Sequence, residues 1–488
     1  MVDITRRNAL LLGGAGIGAV AIGTTGLIVN QSPGLPLQPG LAAGNDLVLP
    51  IELRSSNGGL TVALESSSRR VTIAGRDVRA LSYNGGVPGP TLRVRAGDIL
   101  NVSLRNGLTE PSNLHVHGLH VSPENNSDNM FVTIDAGDSF DYRYELPANH
   151  PPGVYWYHPH HHGLVADQVF GGLYGAIIVG DSEEIPAARE RVLVVSDITF
   201  DSSGTIPTTT AMEKMSGREG DLVLVNGQLS PALSARPGER DRWRVINACT
   251  SRYLRLRLDG QQLTLLGIDS GRFEFPRDVD EVLLAPGNRA DLIITARAGT
   301  STLRALPYDR GSVGGMMGGG TARSADVSLA TFAVADTDTD TDRLTDIPDQ
   351  LAPRDLRSAT VTARRELVFA MGMSGGMSGG MMSATINDRA FDATRVDTTV
   401  EFGSIEEWTL TNTSTLDHPM HLHVWPMQII EQDGQPVESV IWQDVVNIPR
   451  RSTMRVRVAF DDFSGRTVYH CHVLDHEDAG MMGIIEAR

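Results

Sequence analysis

Past residue 50 the chain runs in short stretches in which apolar and polar positions alternate, and each stretch stops at Gly, Pro, Asn or Asp. A period of two puts successive side chains on opposite faces of a strand, so these stretches predict β-strands with one buried face. "AIIVG" (176–180), "RVLVVSDI" (191–198), "LRLRLDG" (254–260), "ADLIITA" (290–296) and "RVRVAF" (455–460) carry the pattern clearly. No long amphipathic helix is predicted beyond the first thirty residues. Three longer stretches resemble one another: 84–106, 226–247 and 387–412. Each opens on Asn-Gly or Asn-Asp, a turn signal, and closes on alternating apolar residues and an Asn. Their first asparagines are 142 and 161 positions apart, which is the length of a domain rather than of a solenoid unit.

An all-β chain of three tandem sandwiches follows, at 44–184, 185–335 and 351–488, with the polar, repetitive "DTDTDTDRLTDIPDQ" (336–350) as a linker. Residues 1–43 are different. Arg6 and Arg7 precede an apolar, glycine-rich run from Ala9 to Val29, the pattern of a twin-arginine export signal. It predicts a periplasmic or extracellular protein, touching a membrane only through that segment if it is not removed.

The formal net charge of −17 excludes nucleic acid as a partner, since phosphate binding needs a basic surface. Of the two cysteines, Cys249 sits in a strand-like run and reads as a buried, inert thiol. Cys471 lies between two histidines in "HCHVLDHEDAGMM" (470–482). All fourteen histidines fall between His115 and His162 or between His418 and His476. A histidine site must therefore be built from the first and third domains, with the second as spacer. Four segments carry the chemistry: "HVHG" (His115, His117), "HPH" (His158, His160), "HPMHLH" (His418, His421, His423) and the Cys471 segment (His470, His472, His476). On a strand each H-x-H pair presents two imidazoles to one face. Four pairs supply eight nitrogens to one cluster, while Cys471 points to the opposite face. There Cys471, His476, a second histidine and a long-range Met481 form a His₂Cys set with axial Met, the ligand set of a blue-copper site. His418 is the second histidine if Pro419 breaks the strand ahead of His421 and His423.

These four segments, in this order, resemble the multicopper oxidase family. "HCHVLDHEDAGMM" and "GLYGAIIV" (172–179) are most similar to its bacterial laccase and cuprous-oxidase branch. The resemblance implies three cupredoxin-like Greek-key domains and four copper ions. It implies a type-1 copper held by His418, Cys471, His476 and Met481, and a type-2 copper held by His115 and His421. The type-3 pair then takes His117, His158, His160, His423, His470 and His472. His160 and His162 also form an H-x-H pair; the family pattern favours His158 and His160, which follow Trp156 and Tyr157. The implied reaction takes single electrons from a reducing substrate near His476 or His418 and passes four of them to dioxygen. Glu477 and Asp128 are the candidate acids for the protons that reaction needs. His161 and His162 read as loop residues or as groups that support the ligands from behind, and His120 and His150 as ordinary histidines.

The substrate is left open between phenols and aromatic amines (laccase type) and Cu(I) (a cuprous oxidase for copper tolerance), with a copper-binding protein without turnover as the alternative from another class. "MGMSGGMSGGMM" holds Met371, Met373, Met377, Met381 and Met382, five of the sixteen methionines. With Gly and Ser between them it reads as an exposed loop, and thioethers suit Cu(I).

Overall fold

The computed structural model describes residues 44–312, 325–335, 346–348, 350–374 and 381–488. The signal-like segment, most of the 336–350 linker and Met377 lie outside the described residues.

The three sequence repeats are three copies of one hydrogen-bonding device. At each opening turn the asparagine takes a left-handed conformation: φ is 52° at Asn84, 51° at Asn226 and 53° at Asn387. Asn tolerates this region better than most residues because its short amide can bond locally. Its Oδ1 accepts the N–H of Glu65, Val194 or Val368 at 2.7–2.8 Å. Its Nδ2 donates to Ala63, Val192 or Glu366. The closing asparagines Asn106, Asn247 and Asn412 are buried, and each donates two bonds to backbone carbonyls.

Around these turns each domain repeats the same topology. In the first, Gly59–Ile73 pairs antiparallel with Arg76–Tyr83 and parallel with Ile99–Gly107. Arg189–Ile198 in the second domain and Ala363–Ser374 in the third pair in the same two senses. Six sheets result among the described residues, two per domain, with the non-sequential neighbours of a Greek key. Strand sequence and burial agree: in Ile99–Gly107, Leu100, Val102 and Leu104 are buried while Ser103 and Arg105 face out. The domain cores close around Tyr83 and Tyr142, Trp243 and Phe332, and Trp408 and Trp425. Among the described residues no helix is long and apolar enough to cross a membrane.

Two methionine stretches depart from the loop expected at 371–382. Ala363–Ser374 and Met381–Ile386 form a hairpin that pairs Met373 with Met382 and Ser374 with Met381. Met371 is partly buried against the third-domain core. At 371–374 methionine alternates with small residues, a strand pattern that the glycine content of the segment masks.

Candidate metal centre

The strand His115–His117 pairs antiparallel with Gly153–His158, placing His115 opposite His158. In the third domain His418–Leu422 pairs with Gly465–Cys471, placing His421 opposite His470 and Met420 opposite Cys471. Alternation then sorts the side chains. His421 and His470 turn toward the first domain. Cys471 and His418 turn the other way, and Cys471 Sγ lies 3.4 Å from His418 Nδ1 and 3.9 Å from His476 Nδ1. Pro419 does not break the strand: it lies within His418–Leu422, opposite Asn447. His418 separates from His421 because they are three positions apart on one strand, an odd spacing that reverses the face.

The first cluster has eight imidazoles, none more than 2 % exposed. The Nε2 atoms of His160 and His423 each lie 3.1 Å from His470 Nε2. His158 Nε2 is 3.4 Å from His117 Nδ1, with the His472 ring 4.9 Å from that of His117. His115 Nε2 is 3.4 Å from His421 Nε2. The outward nitrogens are occupied: His115 Nδ1 meets the Asp128 carboxyl (2.9 Å), His421 Nδ1 donates to the Asp444 carbonyl (2.8 Å), His158 Nδ1 to that of Pro159 (2.8 Å) and His470 Nδ1 to that of Cys471 (3.0 Å). A ring that donates outward presents a bare lone pair inward. Both nitrogens of His472 are buried without a hydrogen-bond partner. Burial pushes all eight pKa values down, His160 and His470 to about 4, and neighbouring imidazoles push the same way at His115, His117, His158, His421, His423 and His472. Neutral imidazoles with lone pairs converging at 3.1–3.4 Å are a donor set for cations of the nitrogen-loving, borderline class.

The second cluster joins it through the chain itself. His418, Cys471, His476 and Met481 are all fully buried. The turn-like helix Leu474–Asp478 carries His476 back beside Cys471, and Met481 closes the loop by accepting the Cys471 N–H at 3.0 Å and donating to the His476 carbonyl at 2.9 Å. Burial pushes the Cys471 thiol well up, so a thiolate here needs a cation beside it. Ser414 Oγ lies 2.8 Å from His418 Nε2, and His476 Nε2 donates to the Met215 carbonyl at 3.1 Å.

Both expected acids touch the eight-histidine cage. Asp128 also accepts the Val116 N–H and lies 3.7 Å from His423 Nδ1; burial pushes its pKa up to about 8. Glu477 is 3.1 Å from His470 Nδ1 and 3.5 Å from His160 Nε2, and burial pushes it up to about 7. His162 packs on Phe391 and His161 approaches Thr133, away from the cage.

The second domain is more than a spacer. Gly287, at φ 87°, presses on His472, where a Cβ would sit 2.9 Å from three ring atoms. Buried Arg289 donates to Asp444 at 2.6 and 2.7 Å and to the Val154 carbonyl, tying all three domains together. Asp444 in turn lies 3.1 Å from His117 Nε2. The helix Ala211–Ser216, started by a Thr210–Glu213 capping box, supplies the carbonyl over His476. Arg218 anchors that segment to Asp475 through its side chain (2.6 Å) and backbone N–H (2.9 Å). Arg289, Asp444 and Met215 escape a sequence reading; the one available signal is charge abutting an apolar strand, Arg289 and Asp291 in "NRADLIIT" and Asp444 in "QDVVNI".

Comparison with known proteins agrees with this geometry. Three multicopper oxidase family models match residues 66–184, 189–306 and 364–488. A multicopper oxidase from Campylobacter jejuni, described as a metallo-oxidase, superposes with a TM-score of 0.79 at 30% identity, over 91% of this chain and 96% of that one. A multicopper oxidase of Mycobacterium tuberculosis is 28% identical over 86% of each chain. A laccase of Bacillus subtilis is 26% identical over 90% of this chain and 96% of its own. The chain belongs to the multicopper oxidase family. Its fold is that of the family's cupredoxin-like domains, and it is an oxidoreductase that uses copper.

Proposed function

We propose that this protein couples one-electron oxidation of small reductants, phenols and aromatic amines or Cu(I), to the four-electron reduction of dioxygen to water. One observation carries the reading: Cys471 belongs to one cluster while His470 and His472, its immediate neighbours, belong to the other. Four copper ions, when bound, supply the redox chemistry. His418, Cys471, His476 and Met481 would hold the type-1 ion, and His115 and His421 the type-2 ion. His160, His423 and His470 would hold one type-3 ion, and His117, His158 and His472 the other. The backbone from Cys471 to either histidine is then the covalent link between the sites. The His476 edge, bonded to Met215 near the surface, is where a reductant gains access; the His418 edge ends on a buried serine. Asp128, beside His115 and His423, and Glu477, beside His470 and His160, orient rings of the cage and stand where protons are consumed. Met371, Met373, Met377, Met381 and Met382 remain the candidate Cu(I)-collecting segment. The Arg6-Arg7 segment supports export by the twin-arginine route to the periplasm or cell exterior.

The test is dioxygen uptake by copper-loaded protein, fed either Cu(I) or a methoxyphenol with free copper chelated. Uptake with chelated phenol establishes the laccase activity. Uptake with Cu(I), and with phenol only after copper is restored, establishes a cuprous oxidase. No uptake with either reductant leaves a copper-binding protein without turnover.

A further inference from the structure

The H-x-H pairs His115/His117 and His421/His423 are each followed by a left-handed residue. After His117 it is Gly118, at φ 82°; after His423 it is Val424, at φ 70°. Gly118 has no alternative, since a Cβ there would lie 2.3 Å from Arg289 and 2.8 Å from Asp444. Val424 is a β-branched residue in a region that such residues avoid, so its backbone is strained. Trp425 N–H donates to the His423 carbonyl at 2.8 Å across it, closing a three-residue turn of the strained hand. The valine side chain is buried in the third-domain core, which offsets part of that strain.

The turn is held from outside. His120, of the first domain, donates from Nδ1 to the Val424 carbonyl at 2.7 Å. Its other nitrogen meets Asp462 of the third domain, its backbone N–H bonds to His150 Nε2, and its ring packs on Phe463. The ligand next to this turn needs such help. His115, His117, His158, His421 and His470 each have a ring nitrogen fixed by a carboxylate or carbonyl. His423 Nδ1 has no hydrogen-bond partner. The Asp128 carboxylate stands 3.7 Å from that nitrogen, beyond hydrogen-bond reach, and the ring stacks on His115 at 4.0 Å; what fixes where the ring starts is its backbone, set by the Val424 turn.

We infer that His120, braced by Asp462, is a positioning residue for His423: it clasps the carbonyl of the strained Val424 turn across the interface of the first and third domains. This rests on His423 being a type-3 ligand. Full-length His120→Ala, His120→Asn, Val424→Gly and the Ala/Gly double variant are loaded with copper. Copper per chain, the EPR-silent fraction and the type-1 colour are measured, together with hydrogen exchange at the Trp425 amide in the metal-free proteins. His120→Ala is expected to bind the type-3 pair about 10- to 100-fold more weakly, to keep its type-1 colour and to exchange faster at Trp425. His120→Asn retains a donor near the Nδ1 position and is expected to behave as wild type. In the Val424→Gly background, where glycine adopts the turn unaided, His120→Ala is expected to cost little. An equal loss with Val or Gly at 424, or no change in exchange at Trp425, overturns the inference. Wild-type protein lacking an EPR-silent copper pair would instead overturn the copper assignment beneath it, and the exchange measurement on metal-free protein still decides whether the clasp exists.

Discussion

Cys471 is a residue whose role can be separated cleanly from its neighbours'. Serine keeps the strand and the backbone between His470 and His472 but removes the sulfur. Cys471→Ser is therefore expected to lose the thiolate-to-copper colour and oxidation of external substrate while retaining the eight-histidine coppers, as metal analysis and absorption spectra would show. Glu477→Gln keeps the shape beside His470 and removes the exchangeable acid. Its oxygen-reduction step is expected to slow about 100-fold, with reduction of the type-1 site by substrate unchanged in stopped flow. His150 gives a pH prediction away from the metals. Burial pushes its pKa from 6.5 down to about 3. The unfolded chain therefore binds a proton below pH 6.5 that the folded one refuses, and stability falls as pH drops from 6.5 toward 3. His150→Gln should remove up to about 1.4 kcal/mol per pH unit from that slope; parallel acid limbs in denaturant unfolding would contradict it.

Among elements, the short helix Ala211–Ser216 is the most dependent on its anchors. Six residues with no buried side chain do not hold a helix by themselves. It stays over His476 because Arg218, 6 % exposed, is locked onto Asp475, 1 % exposed, and onto Asp167. Arg218→Ala leaves a buried carboxylate unpaired and is expected to destabilise the fold by about 3–5 kcal/mol. It should also raise access to the His476 edge, read as a lower KM for bulky phenols; an unchanged KM would mean the helix does not screen that edge. This element also marks where sequence reading ends. The strands around the cage are legible because period-two alternation is local: it separates Cys471 from His470 without any knowledge of the fold. Pro419 misleads, since proline commonly interrupts strands and here does not. The Thr210–Glu213 capping box is a local signal for the short helix itself, but its place over His476 is not legible, because its anchor reaches from Arg218 to Asp475 and no local pattern encodes a contact of that span.

At the scale of the molecule, the sequence makes the histidine gap between His162 and His418 plain, and with it the union of the first and third domains. It does not reveal what the second domain adds. Gly287 and Arg289 act through close approach and buried charge, and neither leaves a periodic trace. Replacing Arg289 with Leu should weaken copper retention at the cage more than at Cys471, because Asp444, stripped of its guanidinium, becomes an uncompensated charge beside His117. The cage also constrains how the protein is made. His160 and His470, whose ring nitrogens nearly touch, are 310 residues apart. At ribosomal speeds of about 5–20 residues per second, the first half of the cage waits roughly 15–60 s for its partner. During that interval a folded first domain displays four histidines to whatever divalent metal is at hand, and zinc competes well for imidazole. Faithful metal content therefore depends on timing as much as affinity: the nascent chain must meet little free metal, or shed it, before the last strands arrive to close the site.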